Sequence, residues 1–162
     1  MMENVPVEFN CKVLARMLAR AYVAEHTETE AISEAMLQLG DDEVSEALFK
    51  LIRDNEMHKM MIEAIIERLN FSIDEFKEYS IRTIGLRRFD FSDEFTVQQL
   101  NEILKWERWA RDYYRELLKQ DYSKISEELG DKAVEFIKDA LRKLVQWEEG
   151  HIKLVENLMS KA

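Results

Sequence analysis

Helix-breaking residues are rare in this chain, and this scarcity constrains the fold more than any other feature. The 162 residues include four glycines and one proline, and Pro6 lies near the N-terminus. Because proline and glycine interrupt helices most strongly, the stretch from residue 9 to 160 favours long helices. The composition is otherwise rich in Ala, Leu, Glu, Lys and Arg, which supports an all-α fold.

Apolar residues recur at the helical spacing of 3.6 in four long stretches. A Gly-Asp-Asp sequence separates the first two stretches and supplies both a C-terminal cap and an N-cap. A chain of this length can bury one core, so we predict a single domain over residues 1–162. The predicted helices cover approximately residues 9–39, 43–69, 97–120 and 132–160.

Residues 70–96 form the longest interval between predicted helices. A connection between adjacent antiparallel helices needs only a few residues, so this interval is long enough to travel the length of a bundle. We therefore predict two helical hairpins joined by a long crossover, which is one of the known ways to connect a four-helix bundle.

Charge and cysteine content exclude several classes of function. The formal net charge of −10 disfavours nucleic acid and anionic membrane surfaces as partners. A single cysteine, Cys11, allows neither an internal disulfide nor a cysteine-based metal site. No apolar run approaches the roughly 20 residues of a membrane span, and the N-terminus lacks the layout of a signal peptide. These features favour a cytoplasmic protein.

Polar residues that could bind a metal interrupt each apolar stripe near its middle. An unpaired buried charge is costly, so carboxylates and imidazoles gathered at one level require a counter-charge such as a divalent cation. Glu and His three positions apart project from one face of a helix, as "EEGH" places Glu148 and His151. Such ligands favour iron, manganese or zinc. The candidates are Glu25, Glu28, Asn55, His58, Glu107, Glu148 and His151.

An internal repeat relates the two halves of the chain. Aligning His58 with His151 sets "LFKLIRDNEMHKMMIEAI" against "LRKLVQWEEGHIKLVENL", with several identities. The first and third predicted helices repeat more weakly, in a separate alignment that pairs Glu25 with Glu107. A duplicated hairpin would place two similar half-sites face to face across a pseudo-twofold axis.

These motifs resemble those of the ferritin-like superfamily, in particular the rubrerythrin and bacterioferritin type, over nearly all of residues 9–160. The second half matches fully through Glu107, Glu148 and His151, and Tyr114, seven residues after Glu107, also fits the rubrerythrin pattern. The resemblance implies two non-haem metal ions, iron or alternatively Mn or Zn, and oxidoreductase activity on O2 or peroxide of the ferroxidase or peroxidase type. It also makes Tyr114 a candidate neighbour of the ligands.

The first half departs from this pattern because Asn55 stands where the resemblance expects a glutamate. One half-site is therefore expected to be weak or empty unless Glu28, one turn after Glu25, compensates. We expect Asp54 to be less well aimed.

Other interpretations remain open at this point. A non-enzymatic bundle could use the same face for one structural metal or for protein contacts, and an iron-storage cage subunit is a third option. We expect a homodimer, and an electron-donor protein or Fe(II) as the source of electrons. The three tryptophans are interpreted as packing residues. Gly150 is expected to mark a close helix approach or space beside the site.

Overall fold

The computed structural model describes residues 8–37, 42–78 and 97–161. All regular structure in this part of the chain is helical, which confirms the predicted all-α class. Residues 74–78 are also helical. The helices labelled below are α1 (Cys11–Met36), α2 (Glu43–Arg68), α3 (Val97–Leu118), α4 (Ser123–Leu129) and α5 (Asp131–Ser160).

Short polar side chains fix the starts of the first two helices. Asn10 Oδ1 accepts a hydrogen bond from the Val13 amide, and Asp42 Oδ1 accepts one from the Ser45 amide, both at 2.9 Å. Each bond satisfies an amide that has no partner inside its helix. Between α4 and α5, Gly130 adopts a φ of 89°, a conformation that favours glycine.

Two apolar clusters form the core, at opposite ends of the bundle. The large cluster joins buried residues from Cys11–Ala21, Ile62–Leu69, Ala110–Leu117 and Ile137–Leu144, with contributions from the α4 region. The small cluster joins buried residues from Ala31–Ala35, Ala47–Leu51, Leu100–Leu104 and Ile152–Leu158.

Membership of these clusters gives the helix directions. The start of α1 meets the end of α2 in the large cluster, and the start of α5 meets the end of α3 there. Both pairs are therefore antiparallel, whereas α2 and α3 run in the same direction. Such an arrangement is what the predicted crossover over residues 70–96 requires, but positions 79–96 of that crossover lie outside the described residues.

A buried polar layer separates the two clusters. Glu25 and Glu28 lie between the cluster segments of α1, and Glu107 lies between those of α3. The corresponding gap in α2 holds Asp54, Asn55 and His58, and that in α5 holds Glu148 and His151. The fold therefore gathers polar groups from four helices at one level.

The expectation of a close helix approach at Gly150 is wrong. Gly150 is exposed, and a Cβ atom added there would meet no atom within 4 Å. No neighbouring helix approaches it closely, because α5 directs this position to solvent. Among the described helices, none combines the length and the apolar character needed to cross a bilayer.

Candidate metal centre

Each antiparallel helix pair brings one glutamate to one histidine. Between α1 and α2, Glu25 Oε1 lies 3.3 Å from His58 Nδ1. Between α3 and α5, Glu107 Oε2 lies 3.2 Å from His151 Nδ1. The two pairs thus repeat the same local geometry, with the Nδ1 atom of each imidazole facing a carboxylate.

Glu148 links the two pairs. Its Oε1 lies 3.0 Å from His58 Nδ1, and its Oε2 lies 3.6 Å from His151 Nδ1. The two imidazole rings stack with centroids 5.4 Å apart. Two groups of three residues result, in which one ligand atom per residue lies within 4.8 Å of the others, and either group could hold a metal ion. The groups are Glu25, His58 and Glu148, and Glu107, Glu148 and His151.

Several oxygens in this layer lack hydrogen-bond donors although they are buried. They are Glu28 Oε1, Glu107 Oε1 and both carboxylate oxygens of Glu148. Glu148 Oε1 lies near an imidazole nitrogen but without hydrogen-bonding geometry. Because buried polar atoms are normally partnered, this set of acceptors is what a cation site presents.

The carboxylates of the layer repel one another. Burial, together with repulsion by Glu148, raises the pKa of Glu107 to about 8. Burial and repulsion by Glu107 raise the pKa of Glu28 well above its ordinary value. A positive charge placed among these groups would relieve that repulsion.

The histidines supply positive charge when no other cation does. Burial acts to lower the pKa of an imidazole, but Glu25 and Glu148 outweigh it and raise the pKa of His58 to about 10. Glu107 and Glu148 likewise outweigh burial and raise the pKa of His151 to about 12. A metal ligand must be a neutral imidazole, so a bound cation would replace these protons.

Glu25 is the most fully partnered carboxylate of the layer. The Tyr114 hydroxyl donates to its Oε1 at 2.8 Å. Asn55, with its amide nitrogen directed at Glu25, donates to Oε2 at 3.1 Å and to the Leu51 carbonyl at 3.3 Å. Burial acts to raise the pKa of Glu25, but attraction to His58 outweighs burial and holds it below its ordinary value.

Glu28 contrasts with Glu25 one turn away. Its side chain is only 4% exposed, and its Oε1 has no donor. It belongs to neither three-residue group, but its carboxylate interacts with that of Glu107. The structure therefore places both weaker candidates in the layer, with Asn55 as a donor to Glu25 and Glu28 as an unsatisfied acceptor.

Asp54 has a role that the sequence did not suggest. His151 Nε2 donates to Asp54 Oδ2 at 2.9 Å, and Arg53 Nη2 lies 3.3 Å from Asp54 Oδ1. Burial acts to raise the pKa of Asp54, but His151 and Arg53 outweigh it and lower the pKa. Asp54 belongs to neither three-residue group, but it reaches across to α5 and contacts the outer nitrogen of His151. When Nε2 carries the proton, a neutral His151 directs the lone pair of Nδ1 towards the space that Glu107 and Glu148 line, where a cation could accept it.

His58 has no equivalent support. Its Nε2 atom is buried without a hydrogen-bond partner, and its ring lies against Trp147 with centroids 5.0 Å apart. In the internal repeat, Trp147 occupies the position that corresponds to Asp54. The two imidazoles are therefore matched on their Nδ1 side and different on their Nε2 side.

Comparison of the chain with protein-family models, curated proteins and solved structures finds no match. The resemblance to the ferritin-like superfamily accordingly rests on the sequence motifs alone. What the described residues establish is an all-helical bundle with buried Glu and His groups that could hold metal ions.

Proposed function

We propose that this protein is a ferritin-like four-helix bundle with a non-haem di-metal carboxylate centre and rubrerythrin-like oxidoreductase activity on O2 or peroxide. The observation that carries the proposal is the position of Glu148, whose two oxygens face different histidines. A carboxylate shared by two groups of ligands suits a pair of metal ions. Iron is the preferred metal, with Mn or Zn as alternatives.

The residues fit such a pair in both chemistry and charge. Carboxylate oxygen and imidazole nitrogen suit iron, manganese and zinc. Four glutamates are buried in the layer, so two divalent cations would balance them while both histidines stay neutral. Donor-free oxygens on Glu28, Glu107 and Glu148 are available as ligands.

The chain contributes positioning and exclusion of water to this chemistry. Bound iron would supply the electrons that reduce O2 or peroxide. Asp54 orients His151, and Tyr114 fixes one oxygen of Glu25. The two apolar clusters close the layer from both ends, and this strengthens electrostatic interactions inside it.

A chain with one cysteine has no rubredoxin-like iron site, so electrons would come from a donor protein or from Fe(II). The proposal includes a cytoplasmic homodimer.

A structural single-metal site is the second candidate, and Asn55 favours it. Asn55 donates to Glu25 and adds no negative charge, so the first group of ligands is poorer in free acceptors. In that case a single ion would bind Glu107, Glu148 and His151 and remain redox-inert.

Metal analysis of protein purified anaerobically, followed by Fe(II) titration under O2, tests the proposal. Two metal ions per chain with rapid Fe(II) oxidation support the oxidoreductase. One inert ion per chain supports the structural site, and thousands of iron atoms per assembly support an iron-storage cage. Absence of any bound metal contradicts all three.

A further inference from the structure

Aromatic residues form a second stripe on α3, beside the stripe that carries Glu107. Trp106, Trp109 and Tyr113 are spaced three and four residues apart, so they lie on one face of the helix. The centroids of the two indole rings are 5.7 Å apart, and those of Trp109 and Tyr113 are 4.8 Å apart in a stacked arrangement.

This stripe connects to the metal centre through Tyr114. The ring centroids of Tyr113 and Tyr114 are 6.4 Å apart, and the Tyr114 hydroxyl donates to Glu25 at 2.8 Å. Tyr114 is 1% exposed, whereas Tyr113 and both indoles are half-buried. The four rings therefore form an unbroken series from a buried carboxylate to the protein surface.

We propose that Tyr114, Tyr113, Trp109 and Trp106 form a path that carries single electrons from a surface donor to the metal centre. The inference rests on the proposed function, because it supplies electrons to that centre. Indole and phenol rings are the side chains most readily oxidised by one electron in a protein without exposed thiols. Their separations here are short enough for electron transfer without a covalent link.

The electron and proton balance can be written for peroxide as the oxidant. Reduction of one H2O2 to two H2O takes two electrons and two protons, and the path delivers the electrons singly. Tyr114 would give one electron to the centre that peroxide has oxidised, while its phenol proton moves along the hydrogen bond to Glu25 and leaves a neutral phenoxyl radical. Trp109 then reduces that radical through Tyr113, and the proton returns to Tyr114. A one-electron reductant in solution restores the indole, and the protons consumed come from water.

Hydrogen bonding distinguishes the two tyrosines. Tyr114 donates to a carboxylate, which can accept its proton, whereas Tyr113 donates to the Met17 carbonyl at 2.8 Å, which is a weak base. Tyr114 is thus the end point of the path, and Tyr113 is a bridging ring.

Trp147 offers a competing route. Its half-buried ring lies 5.0 Å from His58, between the centre and the surface. It is a single ring, whereas the α3 stripe continues to Tyr114, which donates to a carboxylate, and therefore we favour the α3 stripe. A test must distinguish these routes.

Pulse radiolysis of the full chain provides that test without requiring a redox metal. Azide radicals oxidise tryptophan in preference to tyrosine. The subsequent growth of the phenoxyl radical reports an electron that moves from tyrosine to the oxidised indole, and this transfer uses the same rings in the reverse direction. We expect a first-order growth that is independent of protein concentration. Trp109→Phe should slow it at least tenfold, and Tyr114→Phe should remove most of its amplitude.

Two control variants complete the design. Tyr122→Phe should leave the kinetics unchanged, because Tyr122 is a tyrosine outside the four-ring series and its hydroxyl donates to the Leu117 carbonyl. Trp147→Phe should also leave them unchanged. Wild-type kinetics in Trp109→Phe, or loss of transfer in Trp147→Phe, would overturn the proposal. Circular dichroism checks that each variant is folded.

The two hypotheses fail in different ways. A chain that binds no redox metal but still transfers an electron from Tyr114 to the oxidised indole contradicts the proposed function and supports the path. A chain that binds two iron ions and oxidises Fe(II), but shows no transfer along α3, contradicts the path alone.

Discussion

The two halves of the candidate metal centre begin from the same sequence pattern and differ in their electrostatics. The first half-site (Glu25, Asn55, His58) satisfies its carboxylate with the Tyr114 hydroxyl and the Asn55 amide. The second half-site (Glu107, Glu148, His151) leaves three of four carboxylate oxygens without donors. Asparagine in place of a glutamate therefore does more than remove one charge, because its amide also occupies an oxygen of Glu25.

The histidines show the same contrast one step further out. Asp54 accepts a hydrogen bond from His151 Nε2 and so keeps the proton on that nitrogen. Trp147 lies against His58, and an indole ring offers no atom that could accept such a hydrogen bond. Mutation of a residue that orients a ligand typically costs roughly 10- to 100-fold in metal affinity. The second half-site should therefore bind a cation more tightly than the first.

Glu148→Ala should have the largest effect, because both groups of ligands share this residue. We expect metal content to fall to near zero per chain and thermal stabilisation by added metal to disappear. Glu149→Ala is the matched control, since Glu149 is the next residue in the chain and its own carboxylate is 42% exposed and pairs with Arg115. A full metal complement in Glu148→Ala would place the centre elsewhere.

Asp54→Asn should weaken the second half-site by roughly 10- to 100-fold in metal affinity, because His151 loses its carboxylate acceptor. Asp112→Asn is the control, since Asp112 also pairs with the preceding arginine but is exposed. Competition with a chelator of known affinity measures both variants. Equal affinities would show that Asp54 serves only the fold.

Asn55→Glu should make the first half-site more like the second, because each would then contain two glutamates and one histidine. Without metal, a further buried carboxylate beside Glu25 should lower the free energy of unfolding by about 3 kcal/mol, as an unpaired buried charge does. With metal, the same variant should bind more ions or bind them more tightly. Asn55→Gln has the same length without the charge, so a gain in both variants would argue against an electrostatic cause. Thermal unfolding with and without metal measures the difference.

Gly150→Ala should have the smallest effect of these substitutions. It should change the free energy of unfolding through the second half of the repeat, which has a glycine at this position where the first half has a side chain. Its counterpart in the repeat is Met57, an exposed position of α2 that carries a side chain. Alanine at position 150 should raise the free energy of unfolding by about 1 kcal/mol, since glycine in a helix costs that much. Gly130→Ala should instead destabilise the chain, because Gly130 has a φ of 89°. Chemical denaturation measures both, and a loss of stability in Gly150→Ala would reveal a contact at that position.

Periodicity and spacing predicted the all-α class and the residues that meet in the polar layer. Glu25 and Asn55 could be paired from the sequence because they are equally far from the predicted turn at residue 40, and their side chains are hydrogen-bonded. Asp54 could not, because its contact with His151 depends on how α2 packs against α5, and the sequence pattern does not specify that packing. The sequence predicts only packing roles for Trp106 and Trp109 for a related reason. Spacing predicts a shared face, but only the fold shows that Tyr114 links this face to Glu25.

The separation of the two apolar clusters has a consequence for local unfolding. Of the described residues, the large cluster contains 19 buried members and the small cluster 12, and only the polar layer lies between them. Regions with less apolar contact open at lower free energy. Amide hydrogens at the small-cluster end should therefore exchange with solvent first. A cation held by residues of all four long helices would join both ends into one cooperative unit, so that exchange at the small-cluster end slows to the rate of global unfolding.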